Sequence, residues 1–161
     1  MGKREEILNW LEGKGIAYEL MEHPPVYTIE DMEQLGICLK GNVCKNLFLR
    51  DGKGKRHFLV MLARDKQADL KQLGEAVGVR FSFASEERLA KYLNLTKGAV
   101  TPLGIYYDRS AAVEVLMDAD LAGEPNLGVH PGENTATIFL SCDDVVKLIR
   151  ENGNSITMVR I

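Results

Sequence analysis

Two apolar runs, Val43 to Arg50 and His57 to Ala63, stand on either side of the turn Asp51-Gly52-Lys53-Gly54-Lys55-Arg56. They restrict the folding choices of the chain more than any other feature. Apolar runs of this length, separated by a short turn rich in Gly and charge, read as a β-hairpin. Along the first run Val43, Lys45, Leu47 and Leu49 share one face, while Cys44, Asn46 and Phe48 share the other, because side chains alternate along a strand. Both faces are apolar, so Lys45 points toward a partly buried surface. An unpaired ammonium there is costly. It needs an anionic partner, a wet pocket, or a route by which its stem carries the charge to the rim. A structural ion pair meets that need, and so does a pocket cation that awaits a phosphate or an oxyanion.

The rest of the chain supplies strands and helices in irregular alternation. Lys3 to Glu12 puts Ile7, Leu8, Trp10 and Leu11 on one helical face and stops at Gly13 and Gly15. Ile16 to Glu22 alternates as a strand and ends at His23-Pro24-Pro25. Thr28 with Asp31 forms a capping box that opens a short helix from Ile29 to Leu35, closed by Gly36. Helices follow from Gln67 to Val77 and after Ser85, with Arg80-Phe81-Ser82-Phe83 as a short strand between them. Ala112 to Met117, Asn126 to His130, Thr135 to Leu140 and Ser155 to Val159 read as further strands. A short helix is expected around 118–121, and a longer one, capped by Ser141 with Asp144, runs to Gly153. No repeat or linker divides the chain, and 161 residues suit one domain spanning 1–161. The class is α/β or α+β, with a mixed and mostly antiparallel sheet flanked by helices.

Charge and cysteine narrow the function. Lys40, Lys45, Arg50, Lys53, Lys55 and Arg56 face one acid, Asp51, so this stretch carries +5, and the remainder carries −8 within a total of −3. A protein that coats polyanions over its whole surface is excluded, whereas a local focus for phosphate is not. The same lysines also serve as edge protection on a solvated hairpin tip. His57, within this basic stretch, is expected to be exposed. Three cysteines, Cys38, Cys44 and Cys142, form no CxxC pair and read as reduced, buried residues of a cytoplasmic protein. No apolar run approaches a membrane span and the start lacks an apolar signal core. No G-x-S-x-G elbow, H-E-x-x-H or zinc spacing of His and Cys is present; a Cys–His nucleophile pair stays open, since such partners need not be near in sequence.

Two loops add candidates. His130 sits in Gly128-Val129-His130-Pro131, between two expected strands, where it serves as a turn residue or as a functional group on a loop. The loop Gly98-Ala99-Val100-Thr101-Pro102-Leu103-Gly104 brings backbone groups close to a ligand, because Gly98 and Gly104 lack side chains. Its spacing fits neither phosphate-binding glycine motif.

Taken together, Lys45-Asn46-Leu47-Phe48-Leu49 after Gly41, the 98–104 loop, and Gly128-Val129-His130-Pro131 followed by Asn134-Thr135-Ala136-Thr137 resemble the YbaK/ProX family of prolyl-tRNA editing domains. The leading His23-Pro24-Pro25-Val26-Tyr27-Thr28 fits as well, and the order of elements matches over nearly the whole chain. The resemblance is nearest to the free-standing branch that clears alanine from tRNA(Pro). It implies hydrolysis of the ester that joins a wrong amino acid to the terminal adenosine, with cysteine or serine as the alternative amino acids and a non-catalytic tRNA-binding module as the alternative role. Lys45, Gly98, Pro102 and His130 match the family's catalytic positions. Thr28, Asn46 and Thr101 are the implied substrate contacts. Lys40, Arg50, Lys53, Lys55 and Arg56 gain a reason as contacts to the acceptor stem. The resemblance further implies no metal or other cofactor, and aminoacylated tRNA(Pro) as partner with prolyl-tRNA synthetase or an elongation factor as further candidates. A monomer is expected because no exposed apolar stripe remains unassigned in the sequence.

Overall fold

The computed structural model describes residues 2–161. Its core is the expected hairpin. Strand β2 (Asn42–Arg50) pairs antiparallel with β3 (His57–Ala63), with Lys45 opposite Leu62 and Arg50 opposite His57. On β3 the alternation has a full set of apolar residues on each face. Leu59 and Met61 face one core with α1 (Lys3–Gly13), α4 (Glu86–Leu93) and α5 (Cys142–Glu151), while Phe58, Val60 and Leu62 face a second core with Leu73 of α3 (Leu70–Val77). A strand covered on both sides must be apolar on both sides, and burying each such side chain contributes roughly 1.5–3 kcal/mol. Phe58 meets Phe81 edge to face, with ring centroids 4.8 Å apart.

Around the hairpin the sheet grows to eight strands among the described residues. On the β3 side lie β5 (Val113–Asp118) and then β8 (Ile156–Val159), both parallel to their inner neighbours. On the β2 side lie β6 (Leu127–Val129), parallel to β2, then β7 (Ala136–Leu140) and β1 (Glu19–Glu22), each antiparallel to the strand before it. The two-residue β4 (Ser82–Phe83) also pairs antiparallel with β2. The mixed, mostly antiparallel sheet with flanking helices agrees with the class read from sequence. The helix caps are those expected at Thr28, Ser85 and Ser141. Thr28 opens α2 (Ile29–Gln34) with a complete capping box, and the Tyr27 and Thr28 N–H groups hold the Asp31 carboxyl below its usual range. Ser141 accepts from Asp144 N–H at 3.1 Å, half of the box expected there.

Three local readings need correction. The helix expected from Gln67 begins at Leu70, because the Asp69 side chain caps it by accepting from Lys71 and Gln72 N–H. The second half of the 98–104 loop continues into a 3-10 helix, Pro102–Tyr107, favoured by Pro at its first position and by Thr101 as its cap. His57 is buried, 1% exposed, rather than lying on the hairpin surface. Its ring stacks on Tyr92 of α4 at 4.0 Å and on Phe48 at 5.8 Å, and Arg88 Nη1 lies 2.9 Å from its Nε2. A basic neighbourhood in sequence became a helix-covered site in space.

Candidate active site

The second edge of β2 carries a gap. β6 covers it at Asn42 and Val43, and β4 covers it at Leu49 and Arg50. Among the described residues no strand opposes the stretch between them. A cavity of about 940 Å³ opens there. Lys45, Asn46, Thr28, Gly98 and His130 all line it, so five of the residues singled out from sequence come together from four separate stretches of chain.

Lys45 is half-buried, and its ammonium donates to the Lys66 carbonyl at the far end of the turn that follows β3. That turn is clamped. Asp118, fully buried at the end of β5, accepts from Ala63 N–H at 3.0 Å and from Lys66 Nζ at 2.9 Å, and Asp120 takes Lys66 Nζ at 2.7 Å. Burial works against the Asp118 carboxylate, yet the hydrogen bonds from Ala63, Lys66 and Asp120 outweigh it and hold its pKa below the usual value. Lys66 pairs with Asp118 and Asp120, and Lys45 makes no ion pair among the described residues. The structural salt bridge allowed by the sequence is not formed. A carbonyl is a neutral acceptor and leaves the charge of Lys45 uncompensated, with two of its three donors available.

His130 follows directly on β6, and its Nδ1 lies 2.9 Å from the Ala136 carbonyl. A carbonyl only accepts, so Nδ1 carries the proton and Nε2 remains an acceptor. Burial, reinforced by His23 with its ring 6.3 Å away, outweighs the Ala136 carbonyl and pulls the pKa below 6.5. The imidazole is neutral at pH 7. Both nitrogens of His23 are committed, to the Pro24 carbonyl and the Thr137 hydroxyl, which makes it a clasp for the 23–26 segment.

Gly98 adopts φ +91°, and a Cβ there would come within 3.1 Å of the Tyr27 ring. Glycine is required for both reasons. Thr101 and Pro102 are fully buried away from the cavity wall, and the Thr101 hydroxyl accepts from Leu103 N–H. They shape the loop rather than its surface. The basic stretch also separates from the cleft. Arg56 makes a two-pronged pair with Glu114 at 2.8 and 2.9 Å, Arg50 donates to the Asp51 carbonyl, and Lys53 and Lys55 stand exposed at the hairpin tip. Arg50 lies five positions along β2 from Lys45, roughly 17 Å at strand rise. Lys40 is exposed and lies off the wall.

Sequence reading missed the other charges and the aromatics. Arg64, Lys97 and the carboxylates of Glu30, Glu33, Asp65 and Glu86 line the same cavity, as do Tyr27 and Phe83, which are 74% and 63% exposed. The available signal was Phe83 in a run too short to bury it. Cys44 also touches the wall, but burial pushes its thiol up to about 12 and Asn46 Oδ1 lies 3.7 Å from it. Such a thiol stays protonated at neutral pH, and its hydrogen-bond partner is Asn46 rather than a histidine, so Cys44 forms no Cys–His pair. What remains is a cleft of mixed charge, with a lysine, a neutral histidine and backbone dipoles at its wall. It can hold a substrate that carries groups of both charges.

Comparison with known proteins identifies the family. The model of the aminoacyl-tRNA editing domain matches residues 23–148, and the chain belongs to this family of aminoacyl-tRNA deacylases. Over 162 aligned residues, covering 100% of this chain and 99% of the other, it is 45% identical to prolyl-tRNA editing protein ProX of Acetoanaerobium sticklandii. It is 36% identical to prolyl-tRNA synthetase associated domain-containing protein 1 of Mus musculus over 155 residues, covering 94% of this chain and 92% of that protein. A solved structure described as a candidate trans-editing enzyme for prolyl-tRNA synthetase superposes with a TM-score of 0.76 at 20% identity, covering 100% and 98% of the two chains. At that identity the likeness speaks for the fold alone.

Proposed function

We propose that this chain deacylates mischarged tRNA(Pro), with alanine as the amino acid removed. The observation that carries the reading is Lys45, a cation on the wall of a large cleft with a backbone carbonyl, and no carboxylate, as its partner. A phosphate of the tRNA 3′ end supplies the missing counter-charge. The cavity volume of about 940 Å³ lies near the upper end of the ~300–1,000 Å³ that small-molecule sites span. That is far more than alanine fills, and it leaves room for the terminal nucleotide. The wall carboxylates give the α-ammonium of the aminoacyl group a place to bind.

An aminoacyl ester is already activated. A water held by backbone groups, with the neighbouring ribose hydroxyl of the substrate, completes the hydrolysis without a nucleophilic side chain. Selection by size admits alanine and turns away the prolyl ring. Steric exclusion of a larger group succeeds where a synthetic site rejects a smaller one by only about 1–3 kcal/mol. Lys53 and Lys55 at the hairpin tip meet the acceptor stem, and the chain acts as a monomer on the tRNA. Deacylation of alanyl-, cysteinyl-, seryl- and prolyl-tRNA(Pro) by wild type and Lys45→Ala tests the proposal. Loss of alanine alone, falling at least tenfold in the variant, is the expected result. Preference for cysteine or serine overturns the choice of amino acid, and no hydrolysis by wild type leaves a binding module.

A further inference from the structure

The gap in the β2 edge has a chemical consequence at Asn46. Along a strand the N–H and C=O of one residue point to the same side, and successive residues alternate between sides. Three contacts fix which side is which. Asn42 N–H reaches across to the Asn126 carbonyl beside β6, and the Phe48 carbonyl accepts from Ala84 N–H beside β4. Ala63, opposite Cys44, turns its own N–H away from β2 to Asp118. Even-numbered residues of β2 therefore direct their main-chain groups away from β3. Asn46 stands midway between Asn42 and Arg50, where neither β6 nor β4 reaches, and it lines the cavity. Its N–H and C=O have no partner strand, and buried or half-buried main-chain groups require a partner.

We infer that the Asn46 main-chain N–H is the donor that stabilises the oxyanion during ester hydrolysis. The inference rests on the deacylase reading and names the atom that reading lacks. Water attacks the carbonyl carbon, and the carbonyl π electrons move to its oxygen, which accepts a hydrogen bond from the Asn46 N–H. When the tetrahedral intermediate collapses, that pair re-forms the carbonyl and the bond to the ribose oxygen breaks. One proton of the attacking water ends on the ribose oxygen, leaving a free amino acid and an intact 3′ end. The donor is built into a strand held on both sides of the gap, so it needs no reorganisation when charge develops. The uncompensated Lys45 ammonium, on the next residue, adds positive potential to the same stretch.

The test replaces residue 46 in the full chain by the α-hydroxy acid analogue of asparagine, which exchanges N–H for an ester oxygen and leaves the side chain in place. The expected result is a fall in kcat for alanyl-tRNA(Pro) of about 10²–10³ with KM nearly unchanged. The unfolding midpoint should fall by less than with an ester at Leu49. This N–H has no partner in the unliganded protein, and only the Lys45 carbonyl, now part of an ester, accepts more weakly from β3. The same exchange at Leu49, whose N–H is directed at β3, should lower the midpoint and leave kcat of the folded enzyme near wild type. A kcat at position 46 within about threefold of wild type overturns the inference while the deacylase reading stands. A midpoint lowered as far at position 46 as at Leu49 overturns it too, since the Asn46 N–H would then be bonded within the fold. Amide exchange at Asn46 gives an independent reading with an acceptor-stem RNA bearing a non-hydrolysable 3′-alanylamide. Slowed exchange on binding is expected, and unchanged exchange with the RNA bound refutes it. Failure of the wild type to hydrolyse any aminoacyl-tRNA would instead remove the deacylase reading itself.

Discussion

Substituting alanine at Gly98 separates what the loop does for stability from what it does for the cleft. Gly98 sits at φ +91°, where an L-residue loses about 1–2 kcal/mol relative to glycine. The added Cβ would lie 3.1 Å from Tyr27 Cδ1 and 3.5 Å from Cε1. Tyr27 is 74% exposed, so its ring can swing aside, and the steric contact adds little to the stability loss. The ring cannot do so without moving the mouth of the cavity that both residues line. Gly78→Ala is the matched control. It carries φ +81° with nothing within 4 Å of the new Cβ, at the end of α3 and off the cavity wall. Both variants should lose about 1–2 kcal/mol, which for a chain of this size is a drop in Tm of roughly 2–8 °C. Only Gly98→Ala should lose activity. Displacing a positioning group by about 1 Å costs as much as 10²-fold, so a decrease of at least tenfold in kcat/KM is expected well below both melting temperatures. Equal activity of the two variants would refute the placement of the Gly98 loop against the substrate.

Two further outcomes follow from charge. Burial, with Arg88 next in weight, pulls His57 below 6.5, as burial does His130. In both cases the unfolded chain binds more protons than the fold, so stability is complete above about pH 6.5 and declines as pH falls toward the folded pKa values. Urea midpoints measured from about pH 7 to about pH 5 should show this slope, reduced in His57→Gln, and an unchanged slope would sink the assignment. Reversing Lys53 and Lys55 to glutamate should weaken tRNA binding and flatten its salt dependence by about one logarithmic unit per contact removed, while hydrolysis of a short 3′-acylated fragment stays at the wild-type rate. Salt dependence identical to wild type would take the hairpin tip off the RNA.

Local patterns in the sequence carried much of the architecture. The hairpin, the two faces of β2 and the caps at Thr28, Ser85 and Ser141 depend on period, turn chemistry and single side chains within a few residues of one another. Lys45 was conspicuous for the same reason, as a charge on an apolar face. The motifs at Lys45, Gly98 and His130 were recognisable in order, and the fold brings them to one wall. Thr101 and Pro102 belong to the same motif string, yet they turn inward, because the motif records chain position and the 3-10 helix decides orientation.

Other features were decided by partners remote in sequence. His57 became buried only when α4 laid Tyr92 and Arg88 over it. Lys45 meets the Lys66 carbonyl and no carboxylate among the described residues, and Lys66 is itself held by Asp118 and Asp120, more than 50 positions further along the chain. Whether the Asn46 main-chain groups are paired or open depends on where β4 and β6 stop along β2. Alternation along a strand is a local property of the backbone, and the sequence displays it directly. The occupancy of a strand edge is a property of long-range pairing, so the gap that makes the site exists only once the sheet has closed around it.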